Sequence, residues 1–285
     1  SWVWMGLEGK NSQYRKLRGV DTYALVRSLQ SHGIRVLGSS IIGLDDHTPE
    51  NIDQVIEDAI HHESDFHQFM LYTPIPGTPL FEQHRKHGTL LSETVLPVAD
   101  AHGQYRFNYH HAHIHNGQEE KFLLKAFHRD FEVNGPSLAR LIRTILTGWQ
   151  RYKNHSDPRI RDRFAREVYP LRSTYAGAVW AMKRYYQNNR RLSEKLTALL
   201  HDIYREFGWL PRIAAPLIGR YLLVTLKREE KRLANGWTYE PKTFCEKNPA
   251  ALALEDAVSH NGIHNTPKPF GSAPAFACAK FKESV

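Results

Sequence analysis

Cysteine is nearly absent from this sequence of 285 residues: only Cys245 and Cys278 occur, far apart and both in the last quarter. That scarcity argues against a disulfide framework and favours a reducing compartment, so a cytoplasmic protein is expected. It also excludes a cubane iron-sulfur cluster ligated by this chain alone, because such a cluster takes protein thiolates on at least three of its irons. Long apolar runs are lacking too. None approaches the roughly 18 to 20 residues of a spanning helix, so no membrane span is expected. No basic, apolar, small-residue leader opens the sequence, which starts at Ser1. Neither a phosphate-cradling glycine loop nor the sequence context of a Ser/His/Asp hydrolase is found.

What is there is the composition of a globular protein, long enough to bury a sizeable core in one large or two ordinary domains. The net charge of +8 is unevenly spread. Residues 1–88 hold 8 Lys and Arg against 11 Asp and Glu, whereas 136–235 hold 21 against 8. Such a basic region suits either a solvated or partner-docking helical face or a surface for an anionic partner.

Hydrophobic periodicity divides the chain. The run Trp2–Met5 ends at Gly6. Tyr23, Leu25, Val26 and Leu29 follow at helical spacing, and Ile34–Ile42 reads as a strand closed by Gly43. Thr48 is expected to cap the next helix, with Pro49 in its first position and Ile52, Val55, Ile56, Ala59 and Ile60 on one side. A third strand, Phe66–Tyr72, exits through Thr73-Pro74-Ile75-Pro76-Gly77-Thr78. This β-α-β-α-β order predicts a parallel sheet, doubly wound or part of a β/α barrel. Beyond a His-rich connection, helical spacing takes over; Leu138, Leu141, Ile142, Ile145, Leu146 and Trp149 form one apolar stripe, with Arg140 and Arg143 off it. The expected organisation is an α/β region over 1–90, a His-rich connection over 91–117, a helical domain over 118–235, and an extended or disordered tail over 236–285.

In a parallel β/α arrangement ligands gather at the carboxyl ends of the strands. Three such ends carry Gly6-Leu7-Glu8-Gly9, Gly43-Leu44-Asp45-Asp46 and Thr73–Thr78, each pairing glycine or proline with polar residues. Singly they are ordinary turns; together they suggest a site for a small polar ligand.

These same stretches resemble the radical S-adenosylmethionine superfamily, in particular the branch with an amino-terminal cobalamin-binding domain. The likeness rests on Trp4-Met5-Gly6-Leu7-Glu8 with Tyr14–Gly19, on Ser40-Ile41-Ile42-Gly43-Leu44-Asp45-Asp46 with Thr48–Asn51, and on Phe69–Phe81. It extends to Asp130 with Asn134-Gly135-Pro136-Ser137, and to Arg232-Leu233-Ala234 with Tyr239-Glu240-Pro241. The resemblance implies the carboxy-terminal half of a radical SAM barrel followed by an all-α domain. The cofactor it implies is S-adenosylmethionine, bound by Glu8, Ser40, Ile41, Gly43, Asp46, Thr73 and Pro74. Glu8 would reach the ribose or amino-acid moiety, the backbone around Ile41 would meet the adenine, and Gly43 would permit close approach. Ile41 is equally readable as plain sheet core. Asp46 stands where the family often has glutamate, and Gly9 where serine often follows the glutamate.

No C-x-x-x-C-x-x-C motif is present. A 4Fe-4S cluster and cobalamin are therefore expected only on an amino-terminal part of the same enzyme, which would be this chain's partner together with a small-molecule substrate. No catalytic or metal-ligating residue is assigned. The expected activity is cobalamin-dependent methyl transfer or carbon-centred radical chemistry, with this chain alone inactive. The alternative is a non-catalytic basic helical module binding nucleic acid or an acidic protein, although nucleic acid is not the partner the likeness favours.

The His-rich segment, with Asp100, His102, His110, His111, His113 and His115, is open to three readings: surface histidines, a metal site, or a loop closing over substrate. His111, His113 and His115 would share a face if this were a strand. Asp130, beside His128 and Arg129, is readable as an acid/base group, but an exposed helix face is the simpler reading.

Overall fold

The computed structural model describes residues 1–7, 19–92, 95–96 and 105–237. Three parallel strands, β1 (Trp2–Gly6), β2 (Arg35–Ile42) and β3 (Phe66–Leu71), form one sheet in the order β1-β2-β3. Helix α1 (Thr22–Ser31) links the first pair and α2 (Ile52–Ile60) the second; α3 (Pro79–His87) follows β3. The remainder is helical: α4 (Gln118–Asn134), α5 (Ser137–Tyr152), α6 (Pro158–Val168), a short 3-10 turn, α7 (Thr174–Tyr185), α8 (Arg190–Phe207) and α9 (Trp209–Ala234). The protein is thus a mixed α/β chain with a small parallel sheet and a larger helical part. Among the described residues no helix is long and apolar enough to cross a membrane.

Local chemistry explains the boundaries. Asp21 caps α1 by accepting the Ala24 amide at 3.0 Å, and Gly33, at φ +71°, turns the chain from α1 into β2. A Cβ on Gly33 would stand 2.6 Å from the Gly148 Cα, so these two glycines let the α1–β2 turn and α5 meet backbone to backbone. Helix α2 starts later than the sequence reading has it. Thr48-Pro49-Glu50-Asn51 instead forms a turn in which the Asn51 Oδ1 accepts the Thr48 amide at 2.9 Å, and α2 opens at Ile52.

The sheet buries one face and leaves the other open. Toward the helices point Val36, Ile42, Phe69 and Leu71, all nearly or fully buried; Ile42, Phe69 and Leu71 pack with Ile52, Ile56, Ile60, Leu123 and Ala126 of α2 and α4, and Val36 packs with Leu7 and with Val26 of α1. On the alternate positions sit Trp2 and Trp4, then Leu37, Ser39 and Ile41, then Phe66, Gln68 and Met70; Trp4 is 68% exposed and Met70 40%. The register aligns them into rows, Trp4–Leu37–Phe66 and Gly6–Ser39–Gln68, with Ile41 beside Met70. Parallel sheets are ordinarily covered on both sides, so an apolar face left bare among the described residues is the unusual feature of this fold.

A second core lies among the helices, built from Leu141, Ile142 and Ile145 of α5, Val179 of α7, Leu196, Leu199 and Ile203 of α8 and Ala215 of α9. It shares a compact unit, Ser1–Lys231, with the sheet; residues from Arg232 form a second unit. In the latter, the Arg232 guanidinium lies over the Trp237 ring. The rest of the tail, including Tyr239-Glu240-Pro241 and both cysteines, falls outside the described residues.

Candidate functional site

The carboxyl end of β2 is closed by its own neighbours. The His47 Nδ1 accepts the amides of Gly43 and Leu44 at 3.0 and 3.2 Å; the Tyr109 hydroxyl donates to the Gly43 carbonyl at 3.1 Å. The His111 Nδ1 accepts the amides of His113 and Ile114, which leaves its Nε2–H to donate to the Leu44 carbonyl at 3.1 Å. Burial pushes the pKa of both His47 and His111 down, in keeping with neutral rings that each use one nitrogen as acceptor. Burial likewise raises the Tyr109 phenol.

Most of the polar atoms of the Gly43–Leu44 backbone are therefore engaged, and the space beside Gly43 is filled as well. At φ +86° a Cβ there would lie 2.2 Å from the Phe107 ring, so the close approach that this glycine permits is that of Phe107. The neighbouring exit from β3 is held in the same way. The Asn108 amide donates to the Pro74 carbonyl at 2.8 Å, and the Thr73 hydroxyl turns back to the Leu71 carbonyl at 3.0 Å.

The His-rich connection is thus a plug on the strand ends. Residues 105–117 are turns and bends with one bridge, Leu90 to Tyr109, and not a strand. Phe107, Tyr109, His111 and Ile114 are buried, while His110, His113 and His115 are exposed, so His111 does not share a face with the other two. Asp100 and His102 lie outside the described residues. Among the described residues no group of three or more His, Cys, Asp or Glu is placed to hold a metal.

The remaining candidate residues separate by face. Ile41 lies on the open face beside Met70, with Ser39 and Gln68 in the next row. Ser40 points the other way, into the helical layer, where its hydroxyl meets the His67 Nε2 at 2.9 Å. Asp46 is exposed at the turn after β2, its carbonyl accepting from the Asn51 amide. Glu8 falls outside the described residues. A ligand at this end of the sheet would have to use the open face, since the polar groups and the space at Gly43 are largely taken.

Sequence reasoning missed a buried polar chain behind β2 and β3. Beyond Ser40 and His67, the His67 Nδ1 stands 3.7 Å from Asp130, which receives the Arg140 guanidinium at 3.0 and 2.7 Å and the Asn134 amide at 2.9 Å. Asp130 is only 6% exposed, which corrects its reading as part of an exposed face. Burial alone would raise its carboxyl; His67, Arg140 and Asn134 hold it instead at about 2. At 3.7 Å His67 is beyond hydrogen-bond range, so the double contact with Arg140 is the firmer cause. Serine, histidine and aspartate in this order suggest a hydrolase triad, but Ser40 and His67 are buried against α4 and accessible to no substrate. The trio ties the sheet to the helices. Its members are 27 and 63 residues apart along the chain, so no local spacing announces it.

A protein of Pyrococcus horikoshii described as an uncharacterized methyltransferase is 37% identical to this chain over 67 residues. A stretch of the chain resembles a methyltransferase. The match takes in 24% of this chain and 15% of that protein's length. No family model and no solved structure matches the chain.

Proposed function

We propose that the β/α region is the carboxy-terminal half of a radical S-adenosylmethionine barrel and contributes the open face of its sheet to binding S-adenosylmethionine for methyl transfer. The observation that carries this reading is a parallel sheet that, among the described residues, has helices on one side only, because the bare side corresponds to the inward side of a barrel whose other strands are supplied elsewhere. The motif likeness on all three strand ends and the methyltransferase description of the Pyrococcus protein agree with it. In this reading Ile41 and Met70 flank the adenine, Ser39 and Gln68 reach the ribose, and Glu8 with Asp46 meets the polar end of the cofactor. Ser40, Gly43, Thr73 and Pro74 act indirectly, by fixing the strand ends.

The open face fits S-adenosylmethionine, offering apolar side chains for a flat base and a hydroxyl and an amide within one row. A 4Fe-4S cluster does not fit this chain: two cysteines, 33 residues apart in sequence, cannot supply its thiolates. Cobalamin belongs, in this reading, to a preceding domain.

Isothermal titration with S-adenosylmethionine is expected to give saturable binding that falls by about tenfold or more in Ile41→Asp, with unchanged far-UV circular dichroism. Equal binding by the variant, or none by the parent chain, overturns the assignment. In a full-length polypeptide, formation of 5′-deoxyadenosine would separate radical chemistry from polar methyl transfer.

A further inference from the structure

At the amino ends of the strands, away from the site just described, lies a cavity of about 460 Å³ bounded by α1, α5, α8 and the turn before β3. That volume is in the range of small-molecule sites. Its charged lining is unbalanced: Arg27, Arg140, Arg143 and Lys195 face a single carboxylate, Glu63. Two of the four cations are committed. Arg27 pairs with Glu63 at 2.9 Å, and Arg140 is held by Asp130. The Arg143 guanidinium has no hydrogen bond or ion pair among the described residues, and Lys195 spends one proton on the Val133 carbonyl at 2.9 Å.

The wall behind the cavity has hydrogen-bonding capacity that the protein does not use, since the Asn134 Oδ1 and the Arg140 Nε are both buried without partners. Burial first, and then the charges of Arg191, Arg143 and Arg140, push the Lys195 ammonium down in pKa against the opposing pull of Glu63. The hydroxyls of Ser31 and Thr147 are turned to the carbonyls of Ser28 and Arg143, so the donors left for a ligand are cationic.

We propose that this cavity is a binding site for a phosphate group, free or carried by a small organic molecule, held between Arg143 and Lys195. Two neighbouring cations without a carboxylate partner among the described residues match the double charge of a phosphate better than the single charge of a carboxylate. The site gives a use to the Asn134-Gly135-Pro136-Ser137 stretch, which brings α5 back against α4 and sets Arg140 and Arg143 on the cavity wall. Because the cavity opens at the opposite end of the sheet from the nucleoside face, its occupant would not compete with S-adenosylmethionine.

The test is calorimetric titration with inorganic phosphate and with glucose 6-phosphate, at ionic strength held constant with sodium chloride. Saturable binding of phosphate below about 10 mM is expected, weakened about tenfold or more by Arg143→Glu, an exposed position where reversal of charge leaves folding intact. Lys195→Met is expected to weaken it similarly; should that variant unfold, Arg143→Glu decides alone. Tighter binding of glucose 6-phosphate than of phosphate supports an organic ligand, and equal binding supports the free ion. Absence of saturable binding, or unchanged affinity in Arg143→Glu, overturns the proposal. Titration of Arg143→Glu with S-adenosylmethionine keeps the two sites distinguishable, since its affinity there should equal that of the parent chain.

Discussion

The two faces of the three-stranded sheet are written by alternate residues of the same short strands, yet they live under different physics. On the covered face, Ile42 and Val36 are fully buried, and most polar groups that share the layer have partners, Ser40 with His67 and Asp130 with Arg140 and Asn134, while the His67 Nδ1, Asn134 Oδ1 and Arg140 Nε are left without one. On the open face Trp2, Trp4, Phe66 and Met70 stand in water, helped only by local contacts such as Trp2 against Phe66 at 5.3 Å between ring centres and Arg35 over the Trp2 ring. One face is finished and the other is prepared for company. Stability should therefore be concentrated behind the sheet, and binding in front of it.

The sharpest way to break this contrast is to remove Asp130. Asp130→Ala leaves the Arg140 guanidinium buried and unpaired, and is expected to cost about 3 to 5 kcal/mol in urea unfolding. Next comes Ile42→Ala, which opens a void between β2 and α2; a loss of about 2 to 5 kcal/mol is expected from the same measurement.

Acid should expose the same network more gently. The folded pKa of Asp130, about 2, lies below that of the unfolded chain, so its contribution is complete above about pH 4 and is lost as pH falls toward 2. The size is about 2 kcal/mol, and the acid limb should flatten in Asp130→Asn. Asp65 acts with the opposite sign. Burial raises its pKa, so its protonated form is favoured in the fold, and its contribution fades as pH rises.

The smallest effect is the most telling one. Trp4→Ser, on the open face, should change unfolding free energy by no more than about 0.5 kcal/mol. A loss as large as that of Ile42→Ala would mean that the open face is already covered in solution.

Much of this architecture was legible in the sequence. Alternation of apolar strands and helical stripes fixes the β-α-β-α-β order, and the stripe from Leu141 to Leu146 faces the helical core as its spacing requires. The open face was not legible, because the aliphatic residues of Ile34–Ile42 fall on both faces of the strand, and Ile41 reads equally as sheet core or as a neighbour of the adenine. Which of them meets helices depends on which elements return to the sheet.

The role of His111 was hidden for a similar reason. Spacing cannot distinguish an imidazole that caps a strand end from one in solvent, and only the tertiary contacts with Leu44 and Ile114 decide it. Helical spacing predicts α9 as a helix, but not which side it buries: Ala215 and Gly219 are buried while the larger Ile213, Leu217 and Tyr221 are exposed.

The hydrogen bond from the Thr144 hydroxyl to the Asp65 carboxylate at 2.5 Å spans 79 residues of chain. Asp65 also accepts the Val36 amide at 2.7 Å, at the start of β2. A ribosome delivers the strands long before it delivers Thr144, so during synthesis Asp65 can take the Val36 amide but lacks the Thr144 hydroxyl that completes its shell. Native pairing of β2 and β3 is then expected to lock only when α5 has emerged, making completion of the sheet a late event in the birth of the chain.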